Sequence, residues 1–272
     1  MSRKFKAGLI DLTPILVSLL FGAFCAFLIS TPRLEIYGIT PFPEGIGSLG
    51  NAFYFVILVG VGASVIYLLL KRKNLKLIIW IIGFALTAAV FMLSMIYIYA
   101  AFSRFAVPNI EVLTLILSLF ITALADHAVF RKHGKISDLA VLFLGGALGT
   151  LLGFSIPALS AILILGFLAV YDVFAVYHGP VGKIARSGLD QLQGLSFSFR
   201  DIQMGLGDLT FYSMLSGCML VNFDYISFLA CIVGILFGCL LAFKMLEKNG
   251  MFPGLPFPIF FGLTAGLLVS LI

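Results

Sequence analysis

Charged side chains are scarce in this 272-residue chain, where Asp, Glu, Lys and Arg together make 11% against about 25% in soluble domains. Hydrophobic residues make 61%. A soluble monomer of this length leaves much of its surface in water and could not hide so much apolar area. The scarcity excludes a soluble enzyme, a disordered regulator and a nucleic-acid binder, and it leaves a chain solvated by the lipid bilayer. Cysteine and histidine are few as well. Cys25, Cys218, Cys231 and Cys239 all fall inside apolar runs, as buried thiols rather than a disulfide framework. His127, His133 and His178 flank loops as interfacial residues, and no Cys/His spacing suits a metal. No metal or organic cofactor is expected. The net charge of +5 comes from short basic clusters between apolar runs, a pattern that reports topology.

A membrane-spanning helix needs ~20 apolar residues. Nine such runs are present, at about 9–30, 51–70, 77–101, 108–128, 138–156, 158–177, 204–221, 225–243 and 253–272. They predict an all-α polytopic protein, one membrane domain over 1–272. The first run follows Arg3, Lys4 and Lys6 like a signal peptide. It is too long for one, contains Asp11 and Pro14 and lacks an A-x-A cleavage site, so it reads as a retained span. With the N-terminus inside, Arg3, Lys4, Lys6, Lys71, Arg72, Lys73, Lys76, Arg131, Lys132, Lys135, Lys183, Arg186, Arg200, Lys244 and Lys248 fall on one side. Only Arg33 and Arg104 fall on the other, a split of fifteen to two. Such an imbalance predicts a cytoplasmic N-terminus and an outer C-terminus. The expected location is the cell membrane.

Glycine is abundant within the runs. Gly145, Gly146, Gly149 and Gly153 lie in the fifth and Gly234 and Gly238 in the eighth, and Gly149 with Gly153, like Gly234 with Gly238, has the spacing that lets helices pack closely in lipid. No sequence repeat is evident, which weighs against an inverted-repeat transporter. Two aspartates lie well inside runs: Asp172 in the sixth and Asp208 in the seventh. Asp11 lies near the end of its run, where interfacial anchoring is the simpler expectation. A carboxylate in hydrocarbon is costly and normally faces the protein interior with a role to perform. Asp172 precedes the inner end of its run by roughly 9 Å, and Asp208 follows the inner start of its own by roughly 6 Å, at 1.5 Å per residue. Two antiparallel neighbours thus bring both carboxyls to one depth. Paired carboxyls in a low dielectric share a proton, one acting as acid and one as base, which suits activation of a water against a peptide carbonyl. Gly205 and Gly207 remove bulk beside Asp208, so another backbone can come close. The residues alone leave three readings open: a protease, a transporter or ion channel moving protons or cations past the aspartates, and a structural membrane protein.

Tyr171-Asp172 resembles the YD motif, and Gly205-Leu206-Gly207-Asp208 the GxGD motif, of the presenilin and signal peptide peptidase family of intramembrane aspartyl proteases. Pro253-Gly254-Leu255-Pro256 is similar to its PAL motif. Each motif is short, but the three stand in order in runs six, seven and nine and cover nearly the whole chain. The stretches 171–180 and 208–213 resemble the presenilin branch, as does the N-in orientation. The brevity resembles a compact microbial homologue of archaeal type. Two departures stand out. Gly254 replaces the alanine of PAL, which preserves backbone access and adds freedom, and Gln203 stands where presenilins carry lysine. A second Pro157-Ala158-Leu159 lies between runs five and six and reads as an ordinary helix start.

The resemblance implies a presenilin-like fold with nine spans and an intramembrane endopeptidase that cuts within transmembrane helices, with Asp172 and Asp208 catalytic. Tyr171, Gly205, Leu206 and Gly207 complete the active-site motif. A helical substrate must unwind before it is cut, and its freed backbone groups then need partners, which strand addition supplies. Leu195, Phe197 and Phe199 alternate with Ser196, Ser198 and Arg200, a period of two. This stretch and Pro253, Gly254 and Leu255 are the expected substrate-binding residues. The expected partners are single-span membrane proteins and the lipid bilayer, with no nucleic acid, and a homo-oligomer is compatible with the sequence.

Overall fold

A computed structural model describes residues 7–30, 38–72, 74–105, 107–131, 134–179, 194, 196–200 and 202–271. Pro180, Leu195, His133 and the basic residues Arg3, Lys4, Lys6, Arg33, Lys73, Lys132, Lys183 and Arg186, used above, lie outside the described residues. Each apolar run carries a helix, because lipid offers the backbone no partners and a helix satisfies its own. These are α1 (Thr13–Ser30, preceded by a 3-10 turn at Leu9–Leu12), α2 (Gly47–Lys71), α3 (Leu75–Phe102), α4 (Ile110–Asp126), α5 (Lys135–Ser155), α6 (Ala158–Tyr177), α7 (Leu206–Asn222), α8 (Tyr225–Asn249) and α9 (Pro256–Ser270). The first six and α8 are long and apolar enough to cross a membrane. The other two are shorter, at 17 and 15 residues. Trp80, Phe84 and Val170 point outward, more than 70% exposed, as expected of side chains that meet lipid.

The run boundaries need three corrections, each with a local cause. Residues 204–205 are strand rather than helix. Ser196–Phe199 (β1) and Ile202–Gly205 (β2) form an antiparallel hairpin, with Phe199 opposite Ile202 and Ser196 opposite Gly205. Its tight turn holds Arg200 at φ 55°, the left-handed conformation that primed hairpin turns require. Residues 253–255 are not helical. Pro256 has no N–H to satisfy and its fixed φ suits the first helical position, so α9 starts there, with Leu255 as its cap. The eighth run continues as helix through Lys244 and Lys248 to Asn249, where Gly250 at φ 72° ends it. Asp224 starts that helix by accepting the Ser227 N–H at 2.6 Å, which holds its carboxyl below the usual carboxylate range. Pro157 immediately precedes α6, as expected of an ordinary helix start.

Asp11 is 4% exposed, and its Oδ1 lies 3.7 Å from Arg200 Nη1 at the hairpin turn.

The core centres on α7. Leu209, Leu215, Cys218 and Met219 of this helix are fully enclosed, and all four cysteines are buried. The glycine pattern explains how α7 comes to be surrounded. Gly149 and Gly153 of α5 lie directly against the α7 backbone, where a Cβ on Gly153 would sit 2.5 Å from the Met214 carbonyl oxygen. Gly234 and Gly238 do the same for α8 against α9. A Cβ on Gly238 would be 2.6 Å from Phe257 backbone atoms. The close α8–α9 pair thereby fixes the non-helical segment 253–255 beside α7.

Candidate active site

Asp172 sits in the last turns of α6, and Asp208 is the third residue of α7. The chain reverses between them, so the end of one helix adjoins the start of the other. Both are half-buried and line one cavity of about 540 Å³. The segment 253–255 reaches both carboxyls. The Leu255 backbone N–H donates to Asp172 Oδ2 at 3.0 Å. Gly254 also abuts Asp208: a Cβ placed on it would lie 2.8 Å from Oδ2 and 3.1 Å from Oδ1. The Gly254 carbonyl accepts from the Tyr212 hydroxyl at 2.8 Å. Tyr212 stands one helical turn after Asp208, on the same face. One short loop thus touches both carboxyls and is held by a third side chain.

Gly205 and Gly207 behave differently from the packing glycines. A Cβ on either would meet nothing nearer than 3.8 Å, and both line the cavity. Their missing side chains therefore leave open volume beside Asp208. Leu206 is buried at 9% exposure and anchors the start of α7. Tyr171 points away from the cavity, with its hydroxyl 3.3 Å from where a Gly60 Cβ would stand on α2.

The strand expected next to substrate divides in two. Phe197 is 3% exposed and packed into the core. Phe199 is half-buried, and neither ring lines the cavity. The cavity wall comes from β2, through Ile202, Gln203, Met204 and Gly205. In the observed register, the pair closing the turn bonds inward, so the backbones of residues 196, 198, 203 and 205 turn outward. The outward Ser198 N–H of β1 donates to Asp138 Oδ1 of α5 at 3.1 Å. The outward edge of β2 faces the cavity. Of the PAL-like residues, Pro253 and Gly254 line the cavity, while Leu255 reaches Asp172 through its backbone.

Sequence reasoning missed Tyr212 and Glu247 as cavity residues. Tyr212 carried a signal, its spacing of four from Asp208, whereas Glu247 lies in a basic stretch that looks like an ordinary helix end. Among the described residues, no cluster of three or more His, Cys, Asp or Glu could hold a metal ion.

The family model described as signal-peptide peptidase, presenilin aspartyl protease matches residues 17–190, and the presenilin model matches residues 183–272. The chain belongs to this presenilin and signal-peptide peptidase family. The first match takes in Asp172 and the second Asp208. Two solved structures described as a presenilin family intramembrane aspartate protease, in space groups C222 and P2, share the presenilin-like fold. Both give a TM-score of 0.68, at 20% and 23% identity, over 96% of this chain and 99% and 96% of theirs. No curated protein matches the chain. The presenilin-family assignment, with its apolar helices, makes this a multi-pass membrane protein of the intramembrane aspartyl protease class.

Proposed function

We propose that this protein hydrolyses peptide bonds within the transmembrane helices of membrane-protein substrates, with Asp172 and Asp208 as the catalytic pair. The observation that carries the reading is that both carboxyls line one cavity and both touch the backbone at 254–255. Two carboxyls so placed hold one proton between them. The ionised one draws a proton from water as it attacks the scissile carbonyl, and the protonated one gives its proton to the developing oxyanion or leaving amine. The open volume beside Gly205 and Gly207 admits the substrate backbone. An unwound substrate segment adds to the outward edge of β2, which replaces the hydrogen bonds its helix gave up. The GxGD-type assignment, the cytoplasmic position of the lysine- and arginine-rich end and the choice of single-span substrates belong to the same proposal.

The test uses purified protein in lipid vesicles with a single-span substrate. Wild type is expected to cleave it, and Asp172→Ala and Asp208→Ala are expected not to. Cleavage that survives both substitutions would falsify the pair. Ion flux that both substitutions abolish, with no proteolysis in the wild type, would favour a channel or transporter instead.

Gly254 gives a second expectation. An added methyl must displace the Asp208 carboxylate, because it would otherwise lie 2.8 Å from Oδ2. Misplacing a reacting group by about 1 Å can cost on the order of 10²-fold in rate. Gly254→Ala, which puts back the alanine of the PAL motif and meets a side-chain tip that can swing aside, is therefore expected to lower kcat by no more than about tenfold, with little change in KM. An unchanged kcat would mean that the carboxylate has room to move without consequence.

A further inference from the structure

The eighth apolar run ends at Phe243, yet α8 continues to Asn249. Leu246 and Glu247 of this extension line the cavity that holds Asp172 and Asp208. The proposed chemistry uses the two aspartates and leaves Glu247 without a task. Of the residues that line the cavity, three are carboxylates and none is lysine, arginine or histidine. Lys244 and Lys248, on the same helix end, are exposed and stand outside the lining. The cavity is therefore acidic at an end of the molecule where basic residues are otherwise frequent.

Glu247 is exposed as well as cavity-lining, so it stands where the cavity opens. Its Oε2 accepts the Ala7 N–H at 3.1 Å, which ties the carboxylate to the residues before α1. Among the described residues, its Oε1 takes no hydrogen bond and no ion pair reaches it. A carboxylate has acceptor sites on both oxygens. One oxygen is thus oriented by the protein, and the other is open to a ligand.

The helices give its depth relative to the aspartates. The Cys239 thiol of α8 lies against the Tyr212 hydroxyl of α7, which puts the two residues at one level. Asp208 lies one turn, about 6 Å, inward of Tyr212, and Glu247 lies two turns, about 12 Å, inward of Cys239. Glu247 therefore stands about 6 Å further in than Asp208. An extended substrate covers that distance in about two residues, at about 3.3 Å each, and the four-carbon stem of a lysine adds reach. Membrane proteins carry Lys and Arg just inside their spans, so a single-span substrate brings cations to this level.

We infer that Glu247 is a specificity-determining residue: it pairs with a lysine or arginine of the substrate about two to four residues inward of the bond that is cut. This rests on the proposed proteolysis and names its substrates more closely. They are spans whose unwound end runs directly into a basic flank, and spans with a neutral or acidic flank are poor substrates. The pair is partly exposed, so the preference is modest and salt screens it.

The experiment uses purified protein in neutral-lipid vesicles with three substrates that share one span and carry Lys, Gln or Glu three residues inward of the cut. Cleavage kinetics are measured on the wild type, and Kd is measured with fluorescent substrate on Asp208→Asn. The wild type is expected to favour the Lys flank over the Gln flank about threefold to fivefold at low salt, through KM rather than kcat. Glu247→Gln, which keeps the acceptor for Ala7, is expected to abolish the preference, and Glu247→Lys to turn it toward the Glu flank. Lys248→Gln is the control and is expected to keep the preference for Lys. Moving the lysine about eight residues inward of the cut is expected to remove it, because an extended chain then carries the charge past Glu247.

Equal kcat/KM for the three flanks in the wild type overturns the inference. So does a preference that survives Glu247→Gln, or one that Lys248→Gln changes as much, which would assign it to the general charge of the surface. If the wild type cleaves none of the substrates, the proteolytic reading fails, and the Kd series with and without Glu247→Gln still decides whether Glu247 selects the flank.

Discussion

Asp208→Asn is expected to reduce cleavage at least about 10³-fold while the purified protein stays folded. Asparagine matches aspartate in shape, so the contact with Gly254 and the packing of α7 survive. What it cannot do is exchange a proton with Asp172 and water. Positioned acid–base groups contribute about 10²–10⁴-fold each, and members of one catalytic unit lose more than their separate share when one is removed. Asp172→Asn is expected to act alike, and the double variant is expected to be little worse than either single one. The wild-type pH–rate profile is expected to be bell-shaped, since activity needs one proton on the pair, and its two limbs belong to the pair rather than to either residue. Residual cleavage within about tenfold of wild type would show that Asp208 is not part of the chemistry.

Gly149→Ala is expected to destabilise the protein by about 3 kcal/mol, at the upper end for overpacking, and to take cleavage down with it. A Cβ there would collide with the Thr210 carbonyl oxygen and stand 2.7 Å from Ser213 Cβ. Both neighbours belong to α7, and backbone cannot swing aside as a side-chain tip can. The helix carrying Asp208 would have to move away from α5. Gly166→Ala is the control: nothing lies within 4 Å of a Cβ there, so melting temperature and cleavage are expected to stay near wild type. Thermal unfolding in detergent, followed by intrinsic fluorescence, measures both. Equal stability of the two variants would contradict the α5–α7 contact.

The helices were legible because lipid forces a long apolar run to satisfy its own backbone. Asp172 and Asp208 were legible for the same reason: in a chain so poor in charge, an acid inside a run stands out. The close-packing glycines could be read from spacing, and Gly149, Gly153, Gly234 and Gly238 all meet a neighbouring helix. Less could be read where one signal hid another. Ile202–Gly205 continues into an apolar run, so its strand character was masked, whereas the alternation of Phe197 and Phe199 was plain. Alternation tells that one face is buried without telling which wall the strand builds, and Phe197 proved to be core. Gly254 read as a small residue beside substrate, yet its missing Cβ makes room for Asp208, a contact between positions far apart in the chain. The partners of Asp11 and Asp138 are long-range too, and no local pattern marks them.

Gly205 ends β2 and also caps α7. Strand and helix therefore share a residue, and no slack separates them. A shift of the strand along its axis must carry the start of the helix with it, and Asp208 lies only three residues further on. The position of the strand and the position of the carboxylate thus form one mechanical degree of freedom, with the hairpin as its lever arm.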